Sequence, residues 1–487
     1  MGRIEKVVER YFRCVMLSHR WEGKEPMLHQ IQDKDIYMLA PIGGITKLQL
    51  FCKIARHAKF RWAWVDTCCI DQTNNVEVQE SVNSMFVWYR HSALTIVYLS
   101  DVPPSSKSGA LARSVWNKRG WTVQEFLAPK IVLFYQNDWT PYLGDRSDNH
   151  KNSVAIMREL ADATGIDAKA LVTFHPGMKG AREKLQWVSM RVTTLQEDIA
   201  YSLFGIFGIH LPVLYGEKKQ NALGRLLQEI IAQSGDITCL DWVGKSSEFN
   251  SCLPASITSY GAPPPPLPSP LSEDEIQTSV SSLRHTGAVE TALKLYAILD
   301  HQSAPRFAHR RLHLPCIIFP VTEVTPKPGQ EQKPFFTYEV KADGLRDLLI
   351  TTNDKLMRAS HIRQKFLLIR PWDRNLLELH DFAEQYNLAD NTQSVRTEDH
   401  LTPPRSPMYD STDMRLTPGD NTMVHSEADS RALRLIVRLG QPFSAFLLAQ
   451  QWSGEYKRIA SDQHIVAEVE SMTSVNDRMD IRTLEIL

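Results

Sequence analysis

The chain is short of several features that would have fixed its class at once. Its seven cysteines are an odd number spread over 487 residues. Cys68 and Cys69 are adjacent, yet no CxxC pair occurs, so neither a disulfide framework nor a structural zinc module is indicated and a reduced, intracellular protein is expected. Dense Lys/Arg runs are missing as well, and the formal net charge is only -1. General nucleic-acid binding needs concentrated positive charge facing phosphates, so no nucleic-acid partner is expected. The opening MGRIEKVVERYF lacks the apolar core of a secretory signal, and Lys6 stands where a myristoylation site needs Ser or Thr. There is no GxxxxGK[ST] loop, hence no sign of a P-loop nucleotide engine, and no internal repeat. The nearest approach to a membrane span, Ile199 to Tyr215, is slightly short. It holds Gly205, Gly208, His210 and Pro212 between Glu197-Asp198 and Glu217, which favours a buried helix. A cytoplasmic protein without a membrane partner is expected.

What is present suits a large folded chain. With 43% hydrophobic and 23% charged residues, it has material for a sizeable core and two or three domains. Four apolar strands are read at Cys14 to Leu17, Trp62 to Val65, Leu94 to Leu99 and Lys130 to Tyr135, each running into polar residues. Lys47 to Ala58 and Glu77 to His91 carry apolar residues at helical spacing between them. Alternating strands and helices predict a parallel sheet covered on both faces, with ligands outside the carboxyl ends of its strands. Further helices are predicted over Lys151 to Leu160, Gln196 to Phe207 and Gln220 to Gln233, with Gly165 and Gly235 as stops. The run PPPPLPSP from Pro263 to Pro270 cannot continue a helix or a central strand and reads as a stiff linker rather than a ligand for a proline-recognition domain. Beyond it, β-like runs occur at Leu312 to Val324, Phe335 to Val340, Leu348 to Thr352, Lys365 to Ile369, Leu433 to Leu439 and Phe443 to Leu448. A Pro-, Ser-, Thr- and Asp-rich insertion near 397–426 is expected to be disordered.

Four blocks between residues 13 and 130 carry a family resemblance: LSHRW at 17–21, WAWVDTCCIDQ at 62–72, SALTIVYLSDV at 92–102, and W-x-x-RGWTVQEFLAPK from Trp116 to Lys130. With TTLQEDIAYSLFGIFGIHLPVLYGE from Thr193 to Glu217, they resemble, in order, HET (heterokaryon incompatibility) domain proteins of the fungal vegetative-incompatibility class. Departures are Ser18-His19-Arg20-Trp21-Glu22 where many relatives have Ser-Tyr-x-Trp-Gly, Leu195 for Arg in Thr-Thr-Arg, and Lys218 for the second Gly of YGEG. The start so close to the first strand implies a shorter N-terminal lead than other members have. The HET domain is in turn similar to TIR domains, some of which cleave NAD while others only assemble.

The resemblance implies an α/β fold with a TIR/flavodoxin-like parallel sheet, an α-helical extension and a C-terminal β-rich domain. The expected division is a HET domain over 1–145, a helical extension over 146–245, a Pro-rich linker over 246–285 and a β-rich domain over 286–487. It also implies a cell-death signal in non-self recognition, acting through homo-oligomers or other incompatibility proteins. No cofactor is expected, with NAD as candidate substrate and NAD glycohydrolase as candidate activity. The Glu of the TIR helix falls on Glu125, the catalytic candidate. Substrate-binding candidates are Ser18, His19, Arg20 and Trp21 after the first strand, Asp66 after the second, Ser100 and Asp101 after the third, and Trp121. Arg20 is the natural diphosphate partner. On a helical wheel Trp116, Val123 and Leu127 share a stripe while Trp121 and Glu125 lie opposite, so Glu125 is expected to face away from the core beside an indole.

Rival readings stand beside these. An exposed Glu on a helix is usually just solvated, the tryptophans more often pack than stack on substrate, and Asp66 or Asp71 at a strand end commonly caps a turn. Cys68 or Cys69 with His19 and Asp66 has the makings of a thiol hydrolase, though a buried cysteine is usually an apolar filler. His19, His91 and the cysteines follow no established zinc spacing, so no metal is expected. An enzyme that consumes NAD and a non-catalytic adaptor both remain open.

Overall fold

The structure, a computed structural model, describes residue 8 and residues 11–327, 335–356, 365–377, 420–470 and 479–487. Near the N-terminus, strands β1 (Cys14–His19), β2 (Trp62–Trp64), β3 (Leu94–Tyr98) and β4 (Val132–Tyr135) lie within two residues of expectation. All pairs are parallel, in the order β2-β1-β3-β4. The order reverses at β1, so the crevice between the tips of β1 and β3 is the topological switch point of a doubly wound sheet.

Alternation along β1 sends its side chains to two cores. Val15 and Leu17 meet Leu48, Phe51 and Ala55 of the helix Gly44–His57, whereas Met16 joins Val82, Phe86 and Tyr89 of the helix Asn75–His91. Asn74 caps the latter by accepting from the amides of Val76 and Glu77, one of the standard ways of satisfying a free helix N-terminus.

The extension packs on the second of these cores. Its helices Val154–Thr164 and Lys219–Ser234 each stop on a left-handed glycine, Gly165 and Gly235. The single helix expected from Gln196 to Phe207 is instead two separate turns, Asp198–Tyr201 and Phe204–Phe207. Between them the Leu203 amide reaches back only to Ala200, and the resulting bend sets Gly205 against Phe86, where a Cβ would lie 2.1 Å from the Phe86 Cβ.

The C-terminal part is β-rich, as expected, with helices that sequence periodicity did not reveal. Strands β5 (Arg306–Ala308), β6 (Arg311–Pro326), β7 (Phe336–Ala342), β8 (Leu348–Thr352), β9 (Phe366–Pro371), β10 (Phe443–Gln450), β11 (Tyr456–Ile459), β12 (Ile465–Ala467) and β13 (Asp480–Ile486) form one sheet. The pairings β10-β9, β9-β6, β6-β13, β13-β11 and β11-β10 close on themselves as a five-stranded ring. Helices Glu273–His285 and Val289–Asp300 pack with Asp420–Leu439 on this sheet. The run Leu433 to Leu439, read as a strand, is the end of that last helix. Leu433, Ile436 and Val437 are buried at helical spacing, and a short apolar run does not by itself reveal which period applies. Residues 397–419 of the insertion read as disordered lie outside the described residues, and 420–426 begin the same helix.

One core runs through both parts. Leu312, Leu314, Cys316 and Ile318 of β6 point into the core of the extension, while Ile317 and Phe319 point toward the C-terminal helices. Arg458 of β11 is buried across this junction, with its guanidinium 4.3 Å from the Trp242 ring centre and 3.8 Å from that of Phe446. It donates to the carbonyls of Leu240, Cys252 and Trp242, which supplies the partners a buried cation requires.

Candidate functional site

The switch point is occupied by a chain of polar contacts. Ser18, at the end of β1 and fully buried, donates to Glu125 Oε2 at 2.5 Å and accepts from Trp116 Nε1 at 2.8 Å. Glu125 lies on the short helix Thr122–Leu127 and is only 5% exposed. The expectation that it faces away from the core is therefore corrected, because the side chain is itself buried. The wheel placed Glu125 opposite Val123 and Leu127, but the tip of β1 closes over that side, so the helix is enclosed on both. Burial is the main reason the Glu125 carboxyl is pushed up to about 8, and the charge of Asp66 adds to it. The Ser18 hydroxyl and the charge of Arg119 pull the other way.

The adjacent residue, His19, is also buried. Its Nε2 lies 3.1 Å from Asp66 Oδ1, and Trp21 Nε1 donates to Asp66 Oδ2 at 2.8 Å. Burial would raise the Asp66 carboxyl, yet the hydrogen bonds from His19 and Trp21 and the charges of His19 and Arg119 outweigh it and hold it below its ordinary range. Among the described residues His19 Nδ1 has no hydrogen-bond partner. Ser18, His19, Trp21, Asp66 and Glu125 thus lie around one place at the switch point.

Other candidates sit elsewhere. Arg20 is exposed, and its carbonyl accepts from Lys47 Nζ at 3.1 Å. Ser100 donates to Glu22 at 2.6 Å. Asp101 caps the turn before Trp116, accepting from Ser114 Oγ at 2.6 Å and from the Val115 amide at 2.8 Å. It touches the site through the placement of Trp116. Trp121 donates to Asp198 Oδ2 at 3.1 Å, in the extension. Burial, chiefly, pushes the Asp198 carboxyl up to about 6.

Three contributors were not legible beforehand. Arg119 is half-buried, and its charge acts on Asp66, Glu125 and Asp198 together. Trp116, expected to pack, also steers Ser18. Arg191, from the extension, holds the RGWTVQEF segment in place. It donates to Arg119 O and Thr122 Oγ1 through one guanidinium nitrogen and to Asn117 Oδ1 through another, each at 3.0 Å. Burial lowers it to about 9. Beside it the chain of Val192 pairs with Lys118 and Gly120, and a Cβ on Gly120 would meet Thr193 at 2.7 Å. The adjacent Thr-Thr block and the Arg-Gly-Trp block of the sequence are in contact, a pairing that spacing alone could not disclose.

The thiol-hydrolase arrangement is not formed. Cys68 is buried with its thiol pushed up, first by its contact with Cys69 and then by burial, and no hydrogen bond joins His19 to either cysteine among the described contacts. Among the described residues, no group of three or more His, Cys, Asp or Glu side chains is placed to hold a metal. No described helix is long and apolar enough to cross a membrane.

Comparison with known proteins bears on the N-terminal unit. Residues 15–114 match the family model for Heterokaryon incompatibility protein (HET). The N-terminal sheet unit is a HET domain. Over 228 residues the chain is 37% identical to Vegetative incompatibility protein HET-E-1 of Podospora anserina, a match covering 45% of this chain and 16% of that protein. The chain therefore corresponds to a small part of that relative's length. No solved structure shows significant similarity. Within the HET domain Ser18, His19, Trp21 and Asp66 lie inside the matched residues, and Glu125 lies just beyond them.

Proposed function

We propose that the chain serves heterokaryon (vegetative) incompatibility, a non-self recognition signal ending in cell death, and that its HET domain acts by cleaving NAD. The observation that supports the reading is the Ser18–Glu125 contact at the β1/β3 switch point, a buried carboxyl where a doubly wound sheet receives ligands. At rest Glu125 is held largely as the acid. The nicotinamide ring of NAD carries a positive charge, and its arrival would favour the ionised carboxylate. As the bond from ribose to nicotinamide breaks, an oxocarbenium-like centre develops that this carboxylate stabilises, and water then adds to the ribosyl carbon. Asp66, fixed by His19 and Trp21, and Arg119 complete the polar wall, while exposed Arg20 is the candidate diphosphate partner. The protein works in the cytoplasm as a homo-oligomer or with other incompatibility proteins.

A second reading, an adaptor that signals by HET-domain assembly alone, is favoured by the near-complete burial of Glu125. One experiment separates them. The full chain, deliberately clustered, is incubated with NAD, and nicotinamide release is followed beside Glu125→Gln. Release by the parent that is lost in the variant supports the enzyme. No nicotinamide from either, with toxicity on expression unchanged in the variant, ends the NAD reading and supports the adaptor.

A further inference from the structure

The turn after β2 carries a second reactive arrangement that the site above does not use. The amides of Cys68 and Cys69 both point back to the Val65 carbonyl, at 3.3 and 2.9 Å, which folds the two cysteines into one tight turn. Cys69 is exposed and Cys68 is buried. The Val65 amide donates to Cys69 Sγ at 3.4 Å, and such a donor stabilises a thiolate over a thiol. Contact with the Cys68 thiol is the main cause that brings Cys69 down to about 7, the Val65 amide helping and burial and the charge of Asp66 opposing, whereas the half-buried Cys14 and Cys52 near it are pushed up to about 11, mainly by burial. An accessible thiolate next to a thiol is the arrangement found where a sulfenic acid is resolved by a neighbouring cysteine.

We propose that Cys68 and Cys69 form a peroxide-reactive dithiol, in which Cys69 attacks the oxidant and Cys68 closes the disulfide. The Cys69 thiolate displaces hydroxide from hydrogen peroxide, forming an S–O bond as the O–O bond breaks. The Cys68 sulfur then attacks the sulfenic sulfur, releasing water and closing a small ring across one peptide bond. In sum two thiols are oxidised, and one peroxide is reduced to two waters. The turn also holds Asp66, the carboxylate that grips His19 and Trp21, so this chemistry takes place two and three residues along the chain from the site wall. It is independent of NAD cleavage.

The test uses the full chain under native conditions. Iodoacetamide at pH 7 is expected to label Cys69 at least tenfold faster than any other cysteine. Treatment with a slight excess of peroxide is expected to remove two hydrogen masses from the peptide holding both cysteines and to raise hydrogen exchange at the Val65 amide. In Cys68→Ser the reaction is expected to stop at a dimedone-trapped sulfenic acid on Cys69. Cys69 labelling no faster than the rest, or a peroxide-induced disulfide from Cys69 to Cys14 or Cys52, overturns the proposal. Because the labelling rate is read on the unaltered chain, a variant that fails to fold does not spare it.

Discussion

Ser18 Oγ and Glu125 Oε2 are joined at 2.5 Å although 107 positions separate them in the chain. The hydroxyl donates to the carboxylate form and so works against the burial that raises Glu125. Ser18→Ala removes that support, and the Glu125 carboxyl is expected to titrate higher than about 8. Carbon-13 NMR of the labelled carboxyl across the pH range checks the direction. A downward shift would mean that the hydroxyl does not favour the charged form.

The same group makes stability depend on pH. Glu125 is raised in the folded chain, from 4.5 to about 8, so the folded state holds a proton that the unfolded state has released. Its contribution is complete below pH 4.5 and is lost as pH rises toward 8. Glu125→Gln is expected to flatten the fall in stability between these values. Urea unfolding at several pH values reads the slope. At about 1.4 kcal/mol per pKa unit, the flattening amounts to a few kcal/mol at most.

Much of the fold was legible in the sequence because its strands are short, apolar and bounded by polar turns. That Ser18, His19, Trp21 and Asp66 lie near one another was legible because strand tips of a parallel sheet converge. The orientation of Glu125 was not, since a helical wheel describes one wall and says nothing of a second. Arg191 and Arg119 escaped for a related reason. Their roles arise where Val192 pairs with Gly120, a contact between distant segments that leaves no periodic trace. Leu433 to Leu439 was misread because an apolar run buried on most sides suits either period.

Arg191→Ala is expected to destabilise the chain by about 3–5 kcal/mol, since it leaves Asn117 Oδ1 and Arg119 O without their buried charged donor. Lys is not expected to rescue it, because one ammonium cannot reproduce the planar fork. Equilibrium denaturation measures both, and full rescue by Lys would rule out the forked geometry as the cause.

Gly205→Ala sets a methyl group 2.1 Å from the Phe86 Cβ. Overpacking of this kind costs about 1–3 kcal/mol, and a backbone shift there would also disturb Gln124, next to Glu125. A lower thermal midpoint is expected, and Phe86→Leu is not expected to restore it, because leucine keeps the Cβ and Cγ that the new methyl group meets. An unchanged midpoint in the single variant would show that the two segments move apart freely.

Arg458 seals the seam between the N-terminal half and the C-terminal sheet, with Trp242 and Phe446 against its guanidinium. A fragment cut at the proline run would therefore carry an open wound: the indole of Trp242 and the neighbouring leucines stripped of their cover. Such a fragment would tend to clump through that bared face, and toxicity or self-association seen with it would report the cut surface before it reported any signalling property of the whole chain.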